Sequence, residues 1–170
     1  MAREIRMKEG LSGEELSDFC KRFIPNFVNV YSMDNIDYEL IKQRLLQGKG
    51  SSCIVNTSRA NEKGEHWVAV HFSDRQGNCE YFDSFGLPPI QRGVQRLCEL
   101  TPSGYYWNEE GPVQNALDNN SIACGYHVLF YLYAKHRTNL PLHEIVQKYY
   151  TKSLANNDVF AVVFIENKMM

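Results

Sequence analysis

The sequence predicts an α+β domain, a central mixed sheet packed by helices, and three observations carry that prediction. Helical patterns open and close the chain, short segments rich in aromatic and β-branched residues fill its middle, and the apolar run Val128-Leu129-Phe130-Tyr131-Leu132-Tyr133 marks one helix as buried. Residues 11–24 carry Leu16, Phe19, Cys20 and Phe23 at helical spacing, with Ser12 placed to cap the start. Residues 38–46 form a second short helix. Strands are expected at 53–56, 67–72, 80–83 and 105–108, where aromatic and branched side chains suit a pleated surface. The turn formers of Ser73-Asp74-Arg75-Gln76-Gly77-Asn78 join two of these strands as a hairpin. Pro88-Pro89-Ile90 starts a helix running to residue 100, residues 124–137 form the buried helix, and Pro141 is placed as the first residue of a helix to 150. Residues 158–167 form the last helix. No repeat, low-complexity tract or linker breaks this order, so residues 1–170 read as a single domain.

Composition bounds what such a domain does. At 170 residues and 44% hydrophobic content the chain buries a sufficient core with no metal or disulfide scaffold, which points to a monomer. A net charge of −2 and a pI near 6.2 support neither general nucleic-acid binding nor attraction to acidic membranes. No apolar run approaches the roughly 20 residues of a membrane span. The cysteines, Cys20, Cys53, Cys79, Cys98 and Cys124, are odd in number, dispersed, and free of paired C-x-x-C spacing; the first residues hold no signal-peptide core. They read as reduced thiols of a cytosolic or nuclear protein that is not secreted. Zinc on His66, His71 and Cys79 is disfavoured because residues five apart on a strand face opposite sides, so no metal or other cofactor is expected.

The most informative residue is Cys124, within Ser121-Ile122-Ala123-Cys124-Gly125-Tyr126-His127 at the first turn of the buried helix. The unpaired N–H groups and positive end of a helix favour a thiolate over a thiol, which is where a nucleophilic cysteine is made. Nucleophilic catalysis further needs a base, a group that orients the base, and donors for an oxyanion. His66 begins one strand and Asp83 ends the next, and antiparallel pairing brings a strand's start beside its partner's end. The carboxylate then holds the imidazole while Nε2 faces the thiol. Plainer readings stay open for each residue. Cys124 reads also as an inert core cysteine, His66 as a strand-end histidine, Asp83 as a turn former with Ser84 and Gly86, and Trp67 as core; Gly125 simply lets the chain pack closely against the sheet. His71, His127, His136 and His143 read as structural or solvated, because their contexts lack a matching acid.

Taken in order, Cys53-Ile54-Val55-Asn56-Thr57, His66-Trp67, Phe82-Asp83-Ser84-Phe85-Gly86 and Ala123-Cys124-Gly125 resemble the adenovirus-type maturation cysteine proteases (adenains), within the wider clan of SUMO and ubiquitin-like protein proteases. Gly13-Glu14-Glu15-Leu16 and Pro25-Asn26-Phe27-Val28 are similar to the family's amino-terminal helix and following loop. The adenoviral members usually place glutamate where Asp83 stands, whereas the SUMO proteases use aspartate. The resemblance implies a papain-like cysteine protease fold with His66, Asp83 and Cys124 as catalytic residues, and Trp67 and Gly125 on the substrate channel. It also implies an oxyanion glutamine six or seven residues before the cysteine, but Asp118 and Leu117 occupy those positions. Gln114, ten residues before Cys124, fills the role if the intervening segment holds an insertion; Asn119 or Asn120 remains an alternative.

By the same resemblance the chain is expected to be a cysteine endopeptidase cutting after Gly-Gly or Gly-X-Gly sites. Its substrates would be capsid or core precursors of a virus or a virus-like DNA transposon of the Polinton/Maverick kind. A peptide activator and a place in the host nucleus, cytoplasm or virion belong to that expectation. A deubiquitinase-like or deSUMOylase-like isopeptidase is the alternative, and an inactive module that binds glycine-rich tails is the second.

Overall fold

The computed structural model describes residues 10–61, 66–73, 78–115 and 122–170. Its strands are β1 (Phe27–Ser32), β2 (Ser51–Asn56), β3 (Trp67–Phe72), β4 (Cys79–Phe82) and β5 (Tyr105–Trp107); its helices are α1 (Gly13–Phe23), α2 (Tyr38–Leu46), α3 (Arg92–Cys98), α4 (Cys124–Thr138), α5 (Leu142–Tyr149) and α6 (Leu154–Met169). The strands form one sheet in the order β1-β2-β3-β4-β5. The outer pairs β1/β2 and β4/β5 are parallel and the inner pairs antiparallel, so the sheet is mixed, as expected of an α+β domain.

Alternation along the strands builds two cores. Ile54, Ala69 and Phe82 face one side, where α1, α4, α5 and α6 cover them with Leu16, Phe19, Leu129, Ile145 and Ile165. Cys53, Val55, Val68, Val70 and Tyr81 face the other side, under Ile41 of α2 and Val94 and Leu97 of α3. Helix α4 packs across β3 and against α6, and residues around its whole circumference are buried, from Tyr126 and His127 to Leu132. Cys20, Cys53, Cys79 and Cys98 are buried, and burial pushes the thiols of Cys20, Cys53 and Cys79 well up from their ordinary value. No helix among the described residues is long and apolar enough to cross a membrane.

Several boundaries differ from the sequence reading, each for a local reason. Ser12 caps α1 through a full capping box with Glu15, so the helix starts at Gly13. The segment expected as a loop after it holds β1: Asn26, in the left-handed region at φ 59°, turns the chain and Phe27 begins an edge strand in which only Tyr31 is buried. Helix α3 starts at Arg92 and not at Pro88, because Pro89 holds its predecessor extended; Ile90 is left exposed. Pro141 is the N-cap of α5, with an extended ψ of 153°, and not its first helical residue. Helix α6 starts at Leu154, after Ser153, four residues before the expected start.

Candidate active site

Register places the site at one end of the sheet. In the β3/β4 hairpin Ala69 pairs with Phe82, so His66, just before β3, and Asp83, just after β4, emerge at the same end. Strand β5 runs parallel to β4 with Trp107 beside Tyr81, which brings Asn108 out next to Asp83. Helix α4 begins above this end with Cys124, the one cysteine of the five that is not buried.

The His66 ring lies between three neighbours. Its Nε2 is 2.7 Å from Oδ1 of Asp83, its face stacks on Phe85 at a centroid distance of 4.5 Å, and the Cys124 thiol stands close enough to help raise its pKa. With Nε2 given to the carboxylate, Nδ1 is the nitrogen left to serve sulfur. This corrects the sequence reading, which turned Nε2 toward the thiol: a ring held at the strand start offers the acid its far nitrogen. Burial alone lowers the His66 pKa, but the Asp83 hydrogen bond, the nearby Cys124 thiol and both charges outweigh it and lift it from 6.5 to about 9. The imidazole therefore carries its proton at neutral pH.

Asp83 is buried and tied on every side. Its Oδ1 also accepts from the Phe85 N–H at 2.8 Å, an Asx turn of the kind that Asp83 with Ser84 and Gly86 suggested. Fully buried Asn108 clamps the Asp83 backbone in both directions, accepting from its N–H at 3.0 Å and donating to its carbonyl at 2.6 Å. Asn108 was read only as the end of a strand; an amide placed just past β5 was the available signal. Gly86, at φ 73°, closes the turn where a Cβ would stand 2.4 Å from the Gly111 carbonyl carbon.

Gln114 is brought to the same place. Its N–H donates to the Ser84 carbonyl at 3.0 Å, and the Ser84 hydroxyl donates to its Oε1 at 2.5 Å, which fixes the end of the amide that carries Nε2 away from Ser84. The segment bearing the amide thus runs beside the segment bearing the acid. Asn119 and Asn120, the alternatives, lie outside the described residues. At the start of α4 Ala123 sits in the N-cap position in a helical conformation and offers no side-chain cap to the first-turn N–H groups.

Trp67 is half-buried, and its Nε1 donates to the Leu11 carbonyl at 3.2 Å, tying the entry of α1 to the site. Gly125 packs against a different neighbour from the sheet that the sequence reading gave it. It is buried, and the place of its missing Cβ is 3.2 Å from Leu11 and 3.5 Å from Leu16, so the glycine admits the α1 entry against α4. His127 also departs from expectation, because an acid does meet it: its Nε2 is 2.8 Å from Oδ1 of Asp158. His71 hydrogen bonds with Ser52 at 2.8 Å, and burial, with His136 and Lys135 nearby, lowers its pKa to about 3. Among the described residues no group of three His, Cys, Asp or Glu side chains is arranged to hold a metal. A cavity of 490 Å³ lined by His71, Glu80, Tyr106, Trp107 and Lys135, among others, includes none of His66, Asp83 or Cys124.

No family model matches the chain. It is 29% identical over 117 residues to the SUMO-1 cysteine protease of African swine fever virus (a Kenyan pig isolate), a match covering 65% of this chain and 42% of the viral protein. A Malawian tick isolate's cysteine protease is 32% identical over 90 residues, covering 49% of this chain and 33% of that one. The chain thus spans about two-fifths of the length of the first of these curated relatives. Among solved structures, an African swine fever virus protease superposes with a TM-score of 0.69 at 18% identity, covering 94% of this chain and 68% of that one. The SUMO protease Ulp1 with its catalytic cysteine oxidised to a sulfonic acid gives 0.54 at 15% identity, covering 97% and 81%. The fold is that of the Ulp1-like cysteine proteases. A Ulp1 protease domain solved in complex with SMT3, the yeast ortholog of SUMO, also matches, with a TM-score of 0.51 at 13% identity over 93% of this chain and 77% of that one. The relatives and the solved structures that the chain resembles are cysteine proteases; within the Ulp1-like fold, the His66, Asp83 and Cys124 constellation is the candidate site.

Proposed function

We propose that this Ulp1-like domain is a cysteine endopeptidase in which Cys124 is the nucleophile, His66 the acid and base, and Asp83 the carboxylate that orients His66. Gln114 and the Cys124 backbone N–H are the oxyanion donors. The observation that carries the reading is the His66 ring, hydrogen bonded through Nε2 to Asp83 and near enough to the Cys124 thiol for that thiol to raise its pKa. Sulfur attacks the scissile carbonyl carbon and the π pair moves to oxygen, where the donors receive it. Collapse reforms the carbonyl and expels the amine, which takes the proton from Nδ1 of His66. Water then attacks the thioester carbon while giving a proton to His66, and breakage of the S–C bond restores the sulfur. A ring protonated up to about pH 9 is suited to the first role, that of acid to the leaving amine.

The proposed substrates are proteins cut after Gly-Gly or Gly-X-Gly. The adenovirus-type resemblance and the viral relatives favour precursor processing by a virus or virus-like transposon, in the host nucleus, cytoplasm or virion, with a peptide activator as a further partner. The Ulp1 domain solved with SMT3 favours a second reading, an isopeptidase acting on ubiquitin-like modifiers. Cleavage of an unstructured Gly-Gly peptide beside intact SUMO and ubiquitin conjugates, followed by mass spectrometry, separates them. Peptide cleavage after glycine supports the endopeptidase; cleavage of conjugates alone supports the isopeptidase. Binding of glycine-ended tails with no turnover of either, unchanged in Cys124→Ala, would leave the inactive tail-binding module.

A further inference from the structure

Gln114 lies in a segment, residues 113–115, that belongs to no helix or strand, yet its side chain is fully buried. An irregular segment presents an amide with useful accuracy only where its backbone is tied down. On one side the Ser84 carbonyl accepts from the N–H groups of Val113 and Gln114. On the other, two adjacent residues in the first turns of α6 hold the peptide groups flanking Gln114. Asn157 Nδ2 donates to the Val113 carbonyl at 3.1 Å, and Asp158 Oδ2 accepts from the Asn115 N–H at 3.3 Å.

Asp158 reaches further. Its other oxygen, Oδ1, is 2.8 Å from Nε2 of His127, whose Nδ1 is 3.1 Å from the Tyr150 hydroxyl. His127 stands one turn along α4 from Cys124, so a single carboxylate joins the helix that carries the nucleophile to the segment that carries the amide. Asn157 is itself buried and locked, accepting from the Thr151 N–H at 2.9 Å and donating to the Thr151 carbonyl at 2.8 Å.

We propose that Asp158, supported by Asn157, is a positioning residue for the oxyanion site, its carboxylate setting the separation of Gln114 from Cys124 by bridging their two elements. This rests on the peptidase reading. Asp158 acts by setting where Gln114 stands relative to Cys124, so it matters wherever charge develops on the substrate oxygen and little where sulfur reacts without it.

Two probes separate these cases. A Leu-Ala-Gly-Gly peptide aldehyde adds the Cys124 sulfur to its carbonyl carbon, with the π pair passing to the oxygen that the donors hold. Iodoacetamide alkylates the same sulfur by loss of iodide and forms no oxyanion. Aldehyde affinity, read as protection from iodoacetamide, is expected to fall about tenfold or more in Asp158→Ala, while the alkylation rate stays within about twofold of the parent. In a Gln114→Ala background the Asp158 change should have no further effect. Asp158→Asn, which keeps one of the two links, should lose less, and it supplies the comparison if the alanine protein does not fold. Unchanged aldehyde affinity in both Asp158 variants while Gln114→Ala loses it would overturn the inference, as would additive losses or equally slowed alkylation. Normal aldehyde affinity in Gln114→Ala would instead remove the oxyanion role of Gln114, and the inference with it.

Discussion

Nε2 of His66 and Oδ1 of Asp83 are 2.7 Å apart, and this contact commits Nε2 to the carboxylate and leaves Nδ1 to serve Cys124. It is also an upward cause of the His66 pKa near 9, working against a burial that would otherwise lower it. Removing the carboxylate charge should therefore let burial prevail. In Asp83→Asn the His66 titration, followed by the NMR shift of its ring proton, is expected to move from about 9 toward or below 6.5. The sign for stability follows: a folded pKa above the unfolded 6.5 makes protonated His66 stabilising, fully below pH 6.5 and progressively less as pH rises through 9. Parent and Asp83→Asn stabilities should converge across that window; a constant gap from pH 6 to 10 would contradict the assignment.

Asn108 is a second point of leverage because it serves the Asp83 backbone, not its carboxylate. Asn108→Ala leaves a buried N–H and a buried carbonyl without this partner, which should cost about 1–3 kcal/mol for the group left unsatisfied. Chemical denaturation measures that loss, and displacement of Asp83 should also lower the His66 pKa. Stability equal to the parent would show that the clamp does not operate.

Gly86 and Gly48 share a left-handed backbone but differ in their surroundings. A Cβ at Gly86 would stand 2.4 Å from the Gly111 carbonyl carbon and 2.6 Å from its oxygen, whereas nothing lies within 4 Å of one at Gly48. Gly48→Ala should therefore cost only the backbone strain, about 1 kcal/mol, and Gly86→Ala distinctly more, with loss of the Asp83 turn. Thermal melting of the two variants side by side tests the contrast, and equal losses would contradict it.

The oxyanion assignment carries its own magnitude. Gln114→Ala should lower turnover about 10²–10³-fold if its amide holds the developing charge. Assay of a cleaved Gly-Gly peptide under single-turnover conditions reads that step directly. A near-parental rate would move the role elsewhere.

Much of this architecture was legible in the chain. The matched ranges of α2 and β3, the hairpin that brings His66 near Asp83, and the thiol heading a buried helix all follow from local pattern, and the structure shows each. What the pattern concealed depends on contacts distant in sequence. Strand β1 is an edge strand with little burial, so Phe27–Ser32 lacks the clean alternation that marks a half-buried strand. The Asn108 clamp and the His127–Asp158 pair join residues 25 and 31 positions apart through the packing of parallel strands and helix on helix. The choice of imidazole nitrogen is likewise a matter of ring orientation, which residue order does not encode.

The most direct test of the central claim is the intact mass of the folded protein after treatment with a Leu-Ala-Gly-Gly Michael acceptor, alongside Cys124→Ala and His66→Ala. One adduct, absent in Cys124→Ala and slowed in His66→Ala, is the predicted result, because Cys124 alone among the cysteines is not buried and stands against His66. Labelling that persists in Cys124→Ala, or spreads equally over Cys20, Cys53, Cys79 and Cys98, would contradict it.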